Sequence, residues 1–167
     1  LKKIGLIISD DFTGLREVIP HVFPRTDHQL CLVHVQRNIY KNLPRDEAKE
    51  FNERFTEIRQ SSEDKASCIK QFGLLCKKYE SKYSSYMELL LTKKNNYFAF
   101  KDYPKEMQKY IYTTNAVESF NSMINRVRIN NGGFFQSLKT LELNIYLIMQ
   151  RLKASKWAHP MPNMKKF

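Results

Sequence analysis

Two carboxylates stand out by their surroundings. Asp10 follows the apolar run Ile4-Gly5-Leu6-Ile7-Ile8 and Ser9, and Glu118 follows Thr113-Thr114-Asn115-Ala116-Val117. Glu118 is the only acid between Glu106 and Glu142, and residues 119–167 hold eight Lys/Arg against one acid. Phosphodiester chemistry needs both kinds of group: acids to hold a metal and cations to hold the backbone. Mg²⁺ suits such a place, because it takes one or two carboxylates plus substrate phosphate oxygens. Two ions about 3.5–4 Å apart would serve the attacking and the leaving oxygen. The plainer alternative is that each acid simply begins a helix, where the dipole favours it.

Other chemistry is less well supplied. Cys31-Leu32-Val33-His34 has the spacing of half a zinc site. A structural zinc needs four ligands, and His21, His28 and His159 form no matching pair. Cys31 therefore reads as a small buried residue, and His34 as a side chain able to reach the cleft of Asp10. Cys68 and Cys76 fall in a helical stretch and read as core. There is no Gly-x-Ser-x-Gly elbow and no P-loop. Tyr97, Phe98, Phe100, Tyr103, Tyr110 and Tyr112 interleave with Lys93, Lys94, Lys101, Lys105 and Lys109. Such a tract could stack on unpaired bases, or be a loop pinned to the core by its rings. The set Arg126, Arg128, Lys139, Arg151, Lys153 and Lys156, with almost no acid to offset it, is the stronger candidate for backbone contact.

The elements that must carry these groups follow from periodicity. Ile4–Ile8 reads as a strand buried on both faces, with Asp10 at its C-terminal end, where ligands gather in open α/β sheets. Leu15, Val18, Ile19 and Val22 form the stripe of a helix packed on a sheet, with Thr13 as its cap and Pro24 at its end. Gln29–Val33 reads as a second strand, completing a β-α-β unit with a right-handed crossover. From 35 to 110 the pattern turns helical, with helices over about 33–42, 45–60 and 63–93, the last broken. Pro44 and Ser61-Ser62 are the breaks, Asn95–Phe100 is an aromatic loop or short extended piece, and Pro104 opens a short helix. Val117, Phe120, Ile124 and Val127 stripe one further helix, with Glu118 off the stripe. Asn130–Gly133 is a turn. A last helix, 136–154, is apolar nearly all round and is expected to be buried. Asp10 and Glu118 can meet only if the helical block is an insertion off the sheet.

Composition sets the outer bounds. The chain has 167 residues, 42% apolar and 13% aromatic, enough for an ordinary domain with a core. Twenty-eight Lys/Arg against 17 Asp/Glu leave a net charge of +11, which favours an anionic partner, nucleic acid first. Three cysteines argue against a disulfide framework and fit a reducing cytosol. No run approaches the ~20 apolar residues of a membrane span, and no signal peptide is seen. The chain opens directly on a core strand, so a preceding segment is expected.

Together these residues resemble a known family. Ser9-Asp10-x-x-x-Gly14-Leu15, Cys31-x-x-His34 with Arg37-Asn38, Thr113-Thr114-Asn115-x-x-Glu118, Phe134-Phe135 and Trp157 are similar to the Mutator-type transposases of bacterial insertion sequences. The resemblance implies a DDE enzyme. Its fold class would be α/β, a partial RNase H-like core with an incomplete sheet and a large α-helical insertion, predominantly helical in this chain. It implies residues 1–34 as partial core, 35–110 as insertion, 111–157 as the C-terminal core helices and 158–167 as a tail. Asp10 corresponds to the second catalytic aspartate and Glu118 to the catalytic glutamate, both metal ligands, with Asp10 favoured over its neighbour Asp11. Cys31, His34 and Asn115 would support the active site. Arg37, Arg126, Arg128, Lys139, Arg151 and Lys153 would contact DNA. The implied cofactor is Mg²⁺ or Mn²⁺, two ions in the intact enzyme. The implied partners are double-stranded DNA, at element ends and target, and a second copy of the protein. The implied place is the bacterial cytoplasm, on nucleoid DNA. Family members carry the first catalytic aspartate upstream of the position matching Leu1, so these 167 residues are expected neither to cut nor to join DNA alone. Two other functions stay open. One is a degenerate, non-catalytic remnant that binds DNA or a partner transposase; the other is an RNase H-like nuclease acting on RNA–DNA hybrids.

Overall fold

A computed structural model describes residues 4–61 and 63–159. It divides into two compact units, one running to Thr113 and one starting at Thr114. The first opens with β1 (Leu6–Ser9), α1 (Leu15–Val22) and β2 (Asp27–Leu30). The strands are parallel, with Leu6 opposite Asp27 and Ser9 opposite Leu30. The expected β-α-β unit is present, but each strand is displaced from the predicted span. The apolar run Leu30–Val33 is where the reading slipped, because a short apolar run does not distinguish strand from helix. Cys31 is the N-cap of a helix, and Leu32 and Val33 belong to that helix.

The α1 stripe is only partly used. Ile19 is buried, whereas Val18 and Val22 are 54% and 58% exposed. Two strands about 4.8 Å apart are narrower than a helix about 10 Å across, so they cover one row of its side chains. The cap also differs: Gly14 occupies the N-cap at φ +89°, a left-handed conformation that Thr13 could adopt only with strain.

Helices then dominate: α2 (Leu32–Asn42), α3 (Arg45–Gln60), α4 (Lys65–Thr92), α5 (Lys94–Tyr97) and α6 (Lys105–Ile111), with a 3₁₀ turn at Ala99–Asp102. Asp64 caps α4 by accepting from the Ser67 N–H at 2.8 Å. The break expected in this helix is a kink at Tyr83, where φ −133° and ψ 43° leave the helical region. The core is an aromatic cluster. Phe72 of α4 lies 5.3 Å from Phe55 of α3, 5.6 Å from Tyr97 and 5.7 Å from Phe98, centroid to centroid, and most of these pairs meet edge to face as aromatic quadrupoles favour. Tyr97, Phe98 and Phe100 are buried, so these rings pin their segment to the core and do not offer faces to bases.

One buried side chain ties the sheet to that segment. Gln29 of β2 is fully buried. Its Nε2 donates to the carbonyls of Leu30 and Tyr97, at 2.7 and 3.1 Å, and its Oε1 accepts from the Phe100 N–H at 2.8 Å. Asn96 adds a bond from Nδ2 to the His28 carbonyl at 3.0 Å.

The second unit contains α7 (Asn115–Asn130) and α8 (Leu138–Lys153). Gly132 and Gly133, at φ +80° and +93°, make the turn between them, and Ser137 caps α8 through the Thr140 N–H at 3.1 Å. The expectation that α8 is buried all round is not met. Ile148 and Leu152 are buried, but Leu138 is 71% exposed and Leu143 and Leu147 are also exposed. A helix pair gives each member one covered face, however apolar the sequence is on the others. Residues 160–167, which include most of the expected tail, lie outside the described residues.

Gln29→Leu is expected to lower stability by about 2–4 kcal/mol, because it leaves the Phe100 N–H and the Tyr97 carbonyl buried without their partner. Urea denaturation of the variant measures it; a loss within experimental error would show that this tie contributes nothing.

Candidate catalytic carboxylate and its supports

The strand register places the first acid. Ser9 pairs with Leu30, and the Cys31 N–H donates to the Ser9 carbonyl at 2.8 Å. Asp10, one residue past β1, therefore stands beside the start of α2. Cys31, His34 and Arg37 recur at every third position there and share one face. His34 Nδ1 lies 3.0 Å from Asp10 Oδ1 and 3.3 Å from Cys31 Sγ. Its other ring nitrogen, Nε2, lies 3.3 Å from Arg37 Nη1. A guanidinium only donates, so Nε2 accepts and the proton belongs on Nδ1. His34 thus donates toward the Asp10 carboxylate, and Arg37 fixes the ring from behind. Cys31 is buried, and its thiol points at Thr113 Oγ1 at 3.8 Å.

Asp10, Cys31 and His34 have ligand atoms within 4.8 Å of one another, the one such group of three among the described residues. Oxygen, sulfur and nitrogen together suit a softer ion than Mg²⁺. The nitrogen facing the other two carries the proton in the arrangement above, so the cluster acts first as a hydrogen-bonded support for the carboxylate. The Asp10 side chain is 34% exposed, leaving it accessible to a hard cation.

The neighbouring acid is differently placed. Asp11 pairs with Lys93, just past α4, and both side chains are largely buried. That pair fastens the loop after β1 to the helical body. Ser9 and His28 brace the strand end. Ser9 Oγ donates to the Asp10 carbonyl at 2.8 Å and lies 2.8 Å from His28 Nε2. With its hydrogen so used, Ser9 accepts from His28 Nε2–H, and Nδ1 keeps the lone pair. Nδ1 is buried with no hydrogen-bond partner among the described residues. Burial, and then the positive charge of Arg16, push His28 below the usual histidine range against a smaller opposite pull from Asp11.

The other expected residues lie in the second unit. Asn115 is the first residue of α7 and Glu118 is in its first turn. The Glu118 N–H donates to the Thr114 carbonyl at 3.0 Å, and Thr114 Oγ1 stands 3.5 Å from Glu118 Oε1. A carboxylate at that position is favoured by the helix dipole. Arg126, Arg128, Lys139, Arg151 and Lys153 are exposed on α7 and α8, and Arg37 is exposed on α2. Arg128 is also used locally: its Nη1 donates to the Gly133 carbonyl at 3.1 Å and its Nε to Asn125 Oδ1 at 3.0 Å. The structure thus brings Asp10, Cys31, His34 and Arg37 together, and puts Asn115, Glu118 and the late basic set in a separate unit.

A model of the transposase Mutator family matches residues 1–159. The chain belongs to the Mutator family of transposases. Similar proteins include the transposase for insertion sequence element IS1201 of Lactobacillus helveticus, 29% identical over 126 residues, covering 75% of this chain and 34% of that protein. The transposase for IS905 of Lactococcus lactis is 28% identical over 126 residues, covering 75% and 32%. The transposase for IST2 of Acidithiobacillus ferrooxidans is 30% identical over 114 residues, covering 68% and 38%. This Mutator-family chain spans about a third of the length of these relatives. The sequence offers Ser9 only as part of the Asp10 motif, His28 only as an unmatched histidine and Lys93 only within the aromatic and lysine tract; their roles beside Asp10 and Asp11 appear once the strand register and the end of α4 bring them there.

His28 gives a pH test. The unfolded chain takes up a proton at His28 near pH 6.5, while the folded chain resists it. Stability is therefore full above that pH and falls as pH drops toward the folded value, by at most about 1.4 kcal/mol per pH unit. His28→Gln is expected to flatten this slope in urea melts between pH 7 and 5; an unchanged slope would remove His28 as its source.

Proposed function

We propose that this chain supplies two of the three acids of a DDE transposase with an RNase H-like core, which cuts DNA at the ends of an insertion sequence and joins it to a target. The observation that carries the reading is Asp10, held at the C-terminal end of β1 by the proton on His34 Nδ1. Asp10 and Glu118 would hold Mg²⁺ or Mn²⁺, and the donor set fits: both are carboxylates, the hard ligands such an ion takes, with Asp10 partly open to solvent. The bound metal supplies Lewis-acid stabilisation of charge that grows on the phosphate oxygens.

The residues of the chain do the remaining work. His34 fixes one oxygen of Asp10 and so limits the directions in which the carboxylate can offer the other. Cys31 and Arg37 limit the rotation of His34, through the N-cap of α2 and through Nε2. Exposed cations of α7 and α8 offset phosphate charge. In cleavage, water displaces a 3′ oxygen from phosphorus, leaving a 3′-OH and a 5′-phosphate. In joining, that 3′-OH attacks a target phosphodiester and displaces its 3′ oxygen. A pair of element ends calls for at least two copies, so self-association belongs to this reading. The 167 residues carry two of three acids and are expected to be inactive by themselves.

The test joins the chain in frame to the upstream part of the Lactobacillus helveticus relative and follows Mg²⁺-dependent cleavage of an element-end duplex. Asp10→Asn and Glu118→Gln are expected to reduce cleavage to background without loss of duplex binding. His34→Ala is expected to cost about 10–100-fold and to raise the Mg²⁺ requirement, as the loss of a ligand-orienting partner does. Full activity in Asp10→Asn or Glu118→Gln would overturn the assignment.

A further inference from the structure

The helical body carries a basic groove that the catalytic reading does not use. It measures about 410 Å³ and is lined by Arg59 at the end of α3, Phe100 and Lys101 of the 3₁₀ turn, Lys105 and Lys109 of α6, and Tyr112. Several surface cations of this unit are paired with acids: Lys65 with Asp102, Lys78 with Glu50, Lys82 with Glu47 and Arg54 with Glu57. Among the described residues Arg59, Lys105 and Lys109 have no such partner. The one acid lining the groove is Glu63, whose Oε2 already accepts from Gln71 Nε2 at 2.6 Å.

The cations are also held in place. The Arg59 guanidinium lies 4.5 Å over the Tyr112 ring, so the ring holds the charge at the groove wall. Its Nε is buried with no hydrogen-bond partner among the described residues. A guanidinium partly withdrawn from water without an acceptor costs free energy, which an anion at its outer edge would offset. Lys101 Nζ donates to the Ser61 carbonyl at 2.6 Å, fixing a second charge on the wall. Lys105 and Lys109 are exposed, one helical turn apart on the same face of α6. One guanidinium and a row of point charges, beside a single acid that is already hydrogen-bonded, is a set for successive phosphates, the guanidinium being able to take one phosphate bidentately.

We propose that this groove seats the phosphodiester backbone of duplex DNA, a contact from the helical body distinct from the basic residues of α7 and α8. The proposal rests on the reading that the chain acts on DNA. Phe100 is buried and Tyr112 is covered by Arg59, so the groove holds backbone and not stacked bases. Contacts of this kind position a duplex without reading its sequence.

The test measures binding of a short duplex to the 167-residue chain by fluorescence anisotropy across a range of NaCl concentrations. In Lys105→Gln/Lys109→Gln, the slope of log K against log salt is expected to fall by about 2, with equal effect on duplexes of unrelated sequence. Lys105→Arg/Lys109→Arg is expected to keep the parent slope. Both lysines are solvent-exposed, so neither change threatens the fold. A parent chain that binds duplex with a steep salt dependence, unchanged in the glutamine variant, would overturn the groove and leave the transposase reading standing. A parent chain whose duplex binding is absent or insensitive to salt would overturn both.

Discussion

The parallel pairing of Ser9 with Leu30 governs what the first unit can do. In a parallel ladder both strands end at the same edge, so the residue after β1 and the residue after β2 become neighbours. Here those residues are Asp10 and Cys31. Because Cys31 is also the N-cap of α2, the helix begins at that edge, and the next positions on the shared face are His34, half-buried, and Arg37, exposed. A slip of one residue in the ladder would turn Asp10 to the other face of the sheet and part it from the imidazole. The setting of Asp10 is a consequence of register before it is a property of any side chain.

A ladder of two four-residue strands is too small to hold its register unaided. The support comes from the helical body. Gln29 converts its side chain into an extra set of backbone-like bonds, joining β2 to the carbonyl of Tyr97 and the N–H of Phe100. Tyr97 in turn sits in the cluster of Phe55 and Phe72. From the other side Lys93 holds Asp11, and Tyr103 Oη donates toward Asp27 Oδ2 at 2.9 Å at the start of β2. The helices therefore fix where Asp10 can be, and one of them, α2, also supplies its partner His34.

The sequence made some of this legible. The β-α-β unit follows from an apolar run, a helical stripe and a second apolar run, and the break in α4 was foreseen although its place was not. The Cys31-x-x-His34 spacing pointed to the Asp10 cleft, but the direction of the imidazole proton depends on Arg37 lying behind it, a geometric fact. Asp10 and Asp11 are the same residue type in adjacent positions; the resemblance favours Asp10, and the structure separates the two by giving His34 to Asp10 and Lys93 to Asp11. The last helix was misread because apolar residues on every face mark burial only when neighbours exist to cover them. The aromatic and lysine tract split by chemistry: Tyr97, Phe98 and Phe100 entered the core, Lys93 went to Asp11, and Lys105 and Lys109 stayed exposed. Interleaving in sequence does not tell which of two residue types faces inward when the backbone is a chain of short helical turns.

The kink at Tyr83 divides α4 into two rods set end to end. The first is clamped by Phe72 and Tyr79 in the aromatic cluster. The second runs ten residues to Lys93, about 15 Å at 1.5 Å per residue. Its end lies at the loop beside Asp10, where Lys93 holds Asp11. A pivot of four degrees displaces that end by about 1 Å, a distance on which catalytic alignment turns. The geometry of this half-helix therefore enters the placing of the acid as directly as the ladder does, because its last contact is with the residue next to Asp10.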